Sequence, residues 1–163
     1  MTPEEFQKRL KEHEVAIKEL IDTVAPAIAG NTAVSFFKEN FRKEGWGRTK
    51  WQEVQRRTVG TNAYKYSRKR HPARTSRKIL TGDTGDLGRS IEVKKAANGQ
   101  AVVWTAPNAF DSKEPYGRVH NEGLQAGRGK GFRMPKRQFM GESEELNKLI
   151  QDRITKKLNN LFK

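Results

Sequence analysis

The chain has 163 residues, of which 34% are hydrophobic and 32% charged, and its mean hydropathy is −0.91. This length predicts a single domain over residues 1–163, and the polar composition predicts a small core with much of the chain solvated or in contact with partners. The absence of cysteine excludes disulfides, Cys-ligated zinc and thiol catalysis. No run approaches about 18 consecutive apolar residues, so neither a membrane span nor a secretion signal is expected.

The positive charge is concentrated in one stretch. The formal net charge is +14, and residues 42–80 hold 13 Lys+Arg against two Glu, a local net charge of +11. Such a field favours nucleic acid or an acidic protein surface as partner. Tyr64 and Tyr66 lie among these cations. Nucleic-acid surfaces have this composition and so do solvated extended loops, and the pattern leaves both open.

The N-terminal residues predict two helices, together residues 1–43. Thr2, Pro3 and Glu5 form a helix start with a capping box. Pro26 is expected to interrupt or restart the first helix, because a proline ring does not fit a helix interior without a kink. The first helix has an apolar stripe at helical spacing, which is the pattern of packing against a core or another helix: Phe6, Leu10, Ile17, Leu20, Ile21 and Val24.

The second helix is predicted from about Ile28 to Lys43, with an apolar stripe that includes Phe37 and Phe41. Gly45 and Gly47 would end it. The following turn contains Trp46 and Trp51, which we expect to close the helix end onto the core.

The rest of the chain predicts a basic loop at 44–80, a small antiparallel sheet at 81–141 and a C-terminal helix at 142–163. Ala97-Asn98-Gly99 is a hairpin turn between strands that begin near Ile91 and end near Thr105. Further strands are expected around Tyr116–His120 and Phe132–Met134. This succession of elements predicts an α+β fold.

No catalytic or metal-binding pattern is visible. His120 has no neighbouring pair of groups at the spacing of a hydrolase or metal motif, so we interpret it as a structural histidine whose ring bonds to backbone at the end of a strand. Asp83 and Asp86 lack the alternating oxygen ligands of a calcium loop. The glycines of residues 127–131 lack the strand, loop and helix of a phosphate-binding loop. We expect neither a cofactor nor a metal, and a nuclease using His120 is only a remote alternative.

Four short motifs occur in an order that resembles the phage virion morphogenesis family, the Mu-type tail completion proteins, and more loosely other phage tail-component and neck proteins. They are Phe37 and Phe41 before Gly45-Trp46-Gly47 and Trp51; Thr84-Gly85-Asp86-Leu87-Gly88-Arg89-Ser90-Ile91; Tyr116-Gly117-Arg118-Val119-His120-Asn121-Glu122-Gly123; and Met134-Pro135-Lys136-Arg137-Gln138-Phe139-Met140-Gly141.

The resemblance implies a non-enzymatic virion assembly protein at the head–tail junction or the tail end. It would act as a homo-oligomeric ring with other tail or connector proteins, in a virion assembled in the cytoplasm of the bacterial host, with no membrane partner. The resemblance makes the following motif residues structural or interface candidates: Trp51, Gly85, Leu87, Ser90, Tyr116, His120, Gly123, Pro135, Arg137 and Phe139.

The alternative is a basic nucleic-acid-binding protein, which the charge by itself favours. In either role, passing DNA would be contacted by cations of the basic stretch and of the glycine-rich loop. The candidates for these contacts are Arg56, Arg57, Lys65, Arg68, Lys69, Arg70, Arg74, Arg77, Lys78, Arg128 and Lys130.

Overall fold

Helices dominate the computed structural model of the protein, and its strands are short and antiparallel, which confirms the α+β class. The structure describes residues 1–82, 84–105, 116–127 and 129–162. They form two compact units: unit 1 is Met1–Ser35, Glu92–Trp104 and Glu142–Lys163, and unit 2 is Phe36–Ile91 and Thr105–Gly141. The predicted single-domain organisation stays a prediction.

Helix α1 spans Pro3–Glu19 and begins with the predicted capping box. Thr2 Oγ1 accepts from the backbone N–H of Glu5 at 3.2 Å, and the Glu5 carboxylate accepts from the Thr2 N–H at 2.8 Å. These reciprocal bonds satisfy donors that have no partner inside the first turn.

The helix restarts beside Pro26, in agreement with the prediction, and the chain stays helical through this residue. A π-helical turn over Leu20–Val24 joins α1 directly to α2, which spans Ala25–Lys43 and so begins before residue 28. Pro26 has no N–H to donate to the carbonyl of Asp22 one turn earlier. The N–H of Gly99 donates to that carbonyl instead, at 3.4 Å, so a hairpin turn of unit 1 uses the acceptor that the proline leaves free.

Helix α2 ends where the sequence predicts, and a tight hairpin follows in unit 2. Glu44 takes a positive φ of 53°, after which β1 (Gly45–Trp46) pairs with β2 (Thr49–Lys50). The Trp46 ring packs 5.8 Å from Phe36 and 6.3 Å from Phe37. The aromatic turn therefore closes the helix end, as expected.

The stretch predicted as a basic loop contains a helix. Helix α3 spans Asn62–Arg70, and a 3₁₀ turn follows at Pro72–Thr75. Thr61 caps α3 by accepting from the N–H of Tyr64 at 3.1 Å. The loop prediction is wrong here because it weighed charge above the N-cap and the good helix propensity of Lys and Arg.

The predicted hairpin at 91–105 is confirmed. A short helix α4 (Asp86–Arg89) precedes β3 (Glu92–Ala97), which pairs antiparallel with β4 (Gln100–Trp104) in unit 1. Asn98 and Gly99 have φ of 53° and 71°, the conformation that two-residue hairpin turns require.

The strand predicted around Tyr116–His120 is a helix, α5, spanning Tyr116–Glu122. Gly117 is buried, and Val119, His120 and Asn121 are half-buried, so burial follows a helical rather than an alternating pattern. Strand β5 (Gln125–Ala126) pairs with β6 (Phe132–Arg133). The described strands thus form three separate two-stranded sheets instead of one small sheet.

The C-terminal helix is confirmed as α6, Glu144–Asn159, capped by Ser143 and followed by a 3₁₀ turn at Asn160–Phe162. In unit 1 the Arg153 guanidinium donates to the hydroxyl of Thr32 on α2 at 3.0 Å, and the His13 ring lies 5.2 Å from Phe162. These contacts fix the last helix and turn within unit 1.

By length and composition alone, one window of the helix over Pro3–Lys43 could cross a membrane, with a mean hydropathy of 1.3. Core helices of soluble proteins have the same composition, and 33% of this window is buried inside the structure. The absence of a membrane partner therefore stays a prediction.

Candidate functional site

The last motif forms an extended corner whose centre is Phe139. This side chain is fully buried, and its ring lies 5.0 Å from Phe41 on α2. Asn40 donates its Nδ2–H to the Phe139 carbonyl at 3.2 Å, and Asn121 Oδ1 accepts from the N–H groups of Phe139 at 2.8 Å and Met140 at 3.1 Å. Two asparagines therefore satisfy the backbone of the corner from α2 and α5.

Trp51 attaches the first motif to the same corner. Its indole N–H donates to the Gln138 carbonyl at 2.8 Å, and its ring meets the Phe41 ring edge to face at 5.7 Å. The motifs that contain Trp51 and Phe139 are thus brought together as core, with a buried tryptophan N–H that has an acceptor.

Arg137 joins the third and fourth motifs and is only 5% exposed. Its Nε and Nη2 donate to the Gln52 carbonyl, each at 3.2 Å, and its backbone N–H donates to the His120 carbonyl at 2.7 Å. Burial lowers the pKa of the Arg137 guanidinium from its ordinary value. A charged side chain here therefore depends on a neutral carbonyl acceptor.

His120 lies on α5 in the wall of a cavity, and its ring does not make the predicted bond to the backbone of a described residue. Within the part of the chain that the structure describes, the buried Nδ1 has no hydrogen-bond partner. Burial, followed by the charge of Arg137, lowers the pKa of His120 to about 4. The histidine is therefore neutral at pH 7.

The cavity has a volume of about 310 Å³ and belongs entirely to unit 2. Arginines and apolar side chains form most of its wall. Its described lining residues are Val54, Arg56, Arg74, Arg77, Ile79, Leu80, Gly82, His120 and Arg137. The structure thus brings five of the candidate residues, Arg56, Arg74, Arg77, His120 and Arg137, into one place.

Arg56 and Arg57 are neighbours with different environments. Arg56 donates to the carbonyls of Arg74, Arg77 and Lys78, and burial lowers its pKa. Arg57 forms ion pairs with Glu44 at 2.6 Å and Glu53 at 3.3 Å. Both arginines hold unit 2 together.

Glu44 is a hydrogen-bond acceptor shared by two distant parts of unit 2. Its carboxylate accepts from the N–H of Ile79 at 2.5 Å and from Arg57. Burial opposes its ionisation, but the two hydrogen bonds and the positive charges of Arg57 and Lys78 together outweigh that effect, and the pKa of Glu44 is lowered.

Gly85, Leu87 and Ser90 of the second motif have local structural contacts. Gly85 has a φ of 74° before α4, and Leu87 is buried. The Ser90 hydroxyl donates to the Leu87 carbonyl at 2.9 Å and lies 3.0 Å from the hydroxyl of Thr105. Gly88 packs against the Phe41 ring, where an added Cβ would lie 3.3 Å from the ring.

The remaining motif candidates lie at the ends of α5 and at the corner. Tyr116 is exposed and Pro135 is half-buried. Gly123 ends α5 with a φ of 72°, and a Cβ there would lie 3.0–3.1 Å from the backbone and Cβ of Lys136. Gly123 therefore permits close approach of the corner to α5.

The remaining cationic candidates are mostly exposed. Lys65, Arg68, Lys69 and Arg70 lie exposed on α3, and Lys130 is exposed beyond β5. Lys78 is also exposed but donates its Nζ–H to the Arg42 carbonyl at 2.8 Å. Arg128 lies outside the described residues.

Sequence reasoning missed Asn40, Asn121 and Glu44. Asn40 had a readable signal, because a polar residue between Phe37 and Phe41 on a buried helical face must find a partner inside. Asn121 and Glu44 had none, since the partners of Asn121 are distant backbone groups and those of Glu44 are the distant Ile79 N–H and the Arg57 side chain.

The sequence model of the phage virion morphogenesis family matches residues 9–159. The protein belongs to the phage virion morphogenesis family, as its four motifs indicated, and this membership supports a role in phage assembly. No curated protein and no solved structure matches the chain.

No group of three or more His, Cys, Asp or Glu side chains within residues 1–82, 84–105, 116–127 and 129–162 could hold a metal ion. The expectations of no metal, no cofactor and no catalysis stay predictions.

Proposed function

We propose that this protein is a non-enzymatic assembly subunit at the head–tail junction or the tail end of the phage particle, with a tail completion, neck or tail terminator role, and that it acts as a ring of identical subunits. The family membership supports the assembly role. In this proposal the protein is a virion component that assembles in the host cytoplasm with other tail or connector proteins.

The observation that carries the oligomer is an exposed apolar surface on unit 1. Leu10 and Ile17 of α1, Ile21 of the π-helical turn that follows it, and Phe162 border a cavity of about 640 Å³. Leu10, Ile21 and Phe162 are each more than half exposed, at 53%, 55% and 56%. Contiguous apolar surface of this kind marks an interaction site. We define these four residues as the α1 groove.

Charge favours a second copy of the chain as the occupant of the α1 groove. Helix α1 carries five Glu against four Lys+Arg, whereas residues 42–80 carry a net charge of +11. A head-to-tail contact between unlike surfaces brings opposite charges together and closes into a ring when the rotation permits.

Size-exclusion chromatography with light scattering, together with negative-stain images, tests the oligomer. We expect a discrete ring-sized species, formed alone or on addition of tail tube or connector protein. Leu10→Asp should shift it to the monomer, because the substitution buries a carboxylate in the groove.

Val15→Asp is the matched control, since Val15 is exposed on α1 and does not line the groove. This variant should assemble like the unmodified protein. A strictly monomeric protein at high concentration, with and without those partners, would overturn the ring.

The second candidate function is nucleic-acid binding, and α3 is the observation that favours it. This helix exposes Lys65, Arg68, Lys69 and Arg70, with Tyr66 64% exposed beside them. An exposed aromatic among cations suits base stacking and phosphate contact.

A matched pair of triple variants tests this function. Arg68→Gln/Lys69→Gln/Arg70→Gln should weaken duplex DNA binding and reduce the slope of log K against log salt by up to about 3. Lys8→Gln/Arg9→Gln/Lys11→Gln removes the same charge from α1. An equal loss of DNA affinity in both variants would show that binding depends only on net charge, and it would reject α3 as a binding site.

A further inference from the structure

The arginine-lined cavity of unit 2 has two cations in its wall, Arg56 and Arg137, that form no ion pair with a carboxylate of the described residues. Arg56 donates to the carbonyls of Arg77 and Lys78, both at 2.9 Å, and Arg137 donates to the carbonyl of Gln52. Within the described chain, neither guanidinium has a carboxylate within ion-pair distance. Arg137 is buried and Arg56 is half-buried. Burying unpaired charge is costly, so these two cations beside one cavity need a functional explanation.

The nearby carboxylates are already bound to other groups. Glu53 pairs with Arg57, and Glu44 pairs with Arg57 and the N–H of Ile79. Neither is among the residues that line the cavity. They reduce the field at Arg56 and Arg137 without providing a ligand inside the cavity.

A third group in the wall lacks a hydrogen-bond partner. His120 Nδ1 is buried and unbonded among the described residues. A buried polar nitrogen without a partner loses the hydrogen bond it would make in water. An acceptor in the cavity would restore that bond once the ring turns Nδ1 towards it, since Nδ1 itself is closed off from solvent in this structure.

The walls also intensify the electrostatic interaction. Val54, Ile79 and Leu80 contribute apolar surface beside the arginines. A site with apolar walls has a lower effective dielectric constant than water, so a bound anion interacts more strongly with the two guanidinium charges.

We propose that this cavity is a binding site for a phosphate group, held by the positive field of Arg56 and Arg137 and by a hydrogen bond from His120. Two cations match a doubly charged oxyanion, whereas a single carboxylate would neutralise only one. A volume of about 310 Å³ accommodates one phosphate group with some water. Arg74 and Arg77 line the same cavity and have interactions of their own, so the charge comparison uses only Arg56 and Arg137.

The position of these residues explains why the site was not visible in the sequence. His120 belongs to the third motif, Arg137 to the fourth, and Arg56 to the basic stretch. The bond from the Arg137 N–H to the His120 carbonyl joins the two motif residues at the cavity. The site does not depend on ring formation. The assembly proposal can therefore fail while the phosphate site is confirmed, and the phosphate site can fail while the assembly proposal is confirmed.

The first measurement uses the unmodified protein and inorganic phosphate. We expect phosphate to shift the NMR signals of the His120 imidazole and to raise the pKa of His120 from about 4 towards its ordinary value, because a nearby anion stabilises the protonated ring. Chloride at the same ionic strength should not do so. Absence of a His120 response to phosphate, or an equal response to chloride, would overturn the site.

The second measurement distinguishes the sources of the phosphate. Calorimetry would compare inorganic phosphate with a 5′-phosphorylated oligonucleotide and its 5′-hydroxyl counterpart. Preference for the 5′-phosphorylated strand supports a terminal nucleic-acid phosphate, and binding of inorganic phosphate alone supports the free anion. Equal binding of both strands would overturn the match to a doubly charged oxyanion, because an internal phosphodiester carries only one negative charge. Equal binding of acetate or an acidic peptide would overturn the assignment to phosphate.

A variant pair locates the binding in the cavity. His120→Phe removes the donor but keeps an aromatic ring, and we expect about tenfold weaker phosphate binding. His71→Phe is the control, because His71 is exposed and does not line the cavity. If His120→Phe fails to fold, the NMR titration of the unmodified protein still decides whether phosphate binds beside His120. Equal affinity of the folded variants would contradict the role of His120.

Discussion

Asn121 supplies the acceptor that holds the Phe139 corner. Its single Oδ1 accepts from the N–H groups of Phe139 and Met140, at 2.8 and 3.1 Å. Phe139 is fully buried, so its N–H has no access to water if the asparagine is removed. The side-chain amide oxygen thus accepts the hydrogen bonds that the backbone carbonyls of a neighbouring strand would accept in a sheet.

We predict that Asn121→Ala lowers the free energy of unfolding by about 3 kcal/mol, because it leaves two backbone donors unsatisfied. Urea unfolding monitored by tryptophan fluorescence measures the change. Asn121→Asp keeps an acceptor at the same position and should lose less. Equal losses in the two variants would show that the hydrogen bonds are not the cause.

His120 should make stability depend on pH. Its pKa in the folded protein is lowered to about 4, whereas an unfolded histidine has a pKa of about 6.5. Between these values the unfolded chain binds more protons, so stability rises with pH and is lost as pH falls from about 6.5 to 4.

After a reduction for the partial exposure of His120, the loss should be on the order of 2 kcal/mol relative to His120→Gln, which does not titrate. Urea unfolding of both proteins at pH 7 and pH 4.5 measures it. Parallel pH profiles would contradict the prediction.

At the scale of elements, α5 ends at a glycine whose conformation and surroundings both exclude a side chain. Gly123 has a φ of 72°, and its missing Cβ would meet the backbone of Lys136. Gly129 has a similar φ of 63°, but no atom of the described residues lies within 4 Å of the Cβ that a substitution would add. A substitution at either glycine strains the backbone, but only one at Gly123 also causes a steric contact. Comparing the two positions therefore distinguishes the cost of strain from the cost of contact.

We predict that Gly123→Ala destabilises the protein by about 3 kcal/mol, whereas Gly129→Ala costs about 1 kcal/mol from the left-handed conformation alone. Thermal unfolding of both variants tests this difference. Similar costs would mean that the corner moves away from α5 without penalty.

Elements with local signals were predictable, and those decided by packing were not. Thr2 and Glu5 cap α1, and Asn98-Gly99 turns the hairpin, because each arrangement involves residues only a few positions apart. Helix α5 was predicted as a strand because the stretch from Tyr116 to Gly141 combines glycines and cations with a few aromatics, a composition that disfavours a helix. Burial of Gly117 together with His120 and Asn121 favours the helix, and that burial depends on residues far along the chain.

At the scale of the whole molecule, the positive charge has two distinct uses. Arg56 and Arg57 bond within unit 2, whereas Arg68, Lys69 and Arg70 are exposed on α3. The net charge of residues 42–80 therefore overstates the surface available to DNA. Composition gives only the sum of the charges, and it cannot distinguish cations that bond within the protein from cations that are exposed to a partner.

If subunits cover the α1 groove, mass action should link stability to protein concentration. We predict that the Tm of the unmodified protein rises over a roughly 100-fold increase in concentration, while that of Leu10→Asp stays constant. Differential scanning calorimetry measures both, with Val15→Asp as the control that should follow the unmodified protein. A Tm independent of concentration in all three would argue against self-association through this surface.

The sequence by itself determined the family, the α+β class, the helix start at Thr2 and the hairpin at Asn98-Gly99, because motif order and short-range hydrogen bonding are written in neighbouring residues. Only the tertiary structure decided that His120, Arg137 and Arg56 share one cavity and that Asn40 and Asn121 hold Phe139. The physical reason is that burial of a charge or an amide is set by acceptors distant in sequence, such as the Gln52 carbonyl for Arg137.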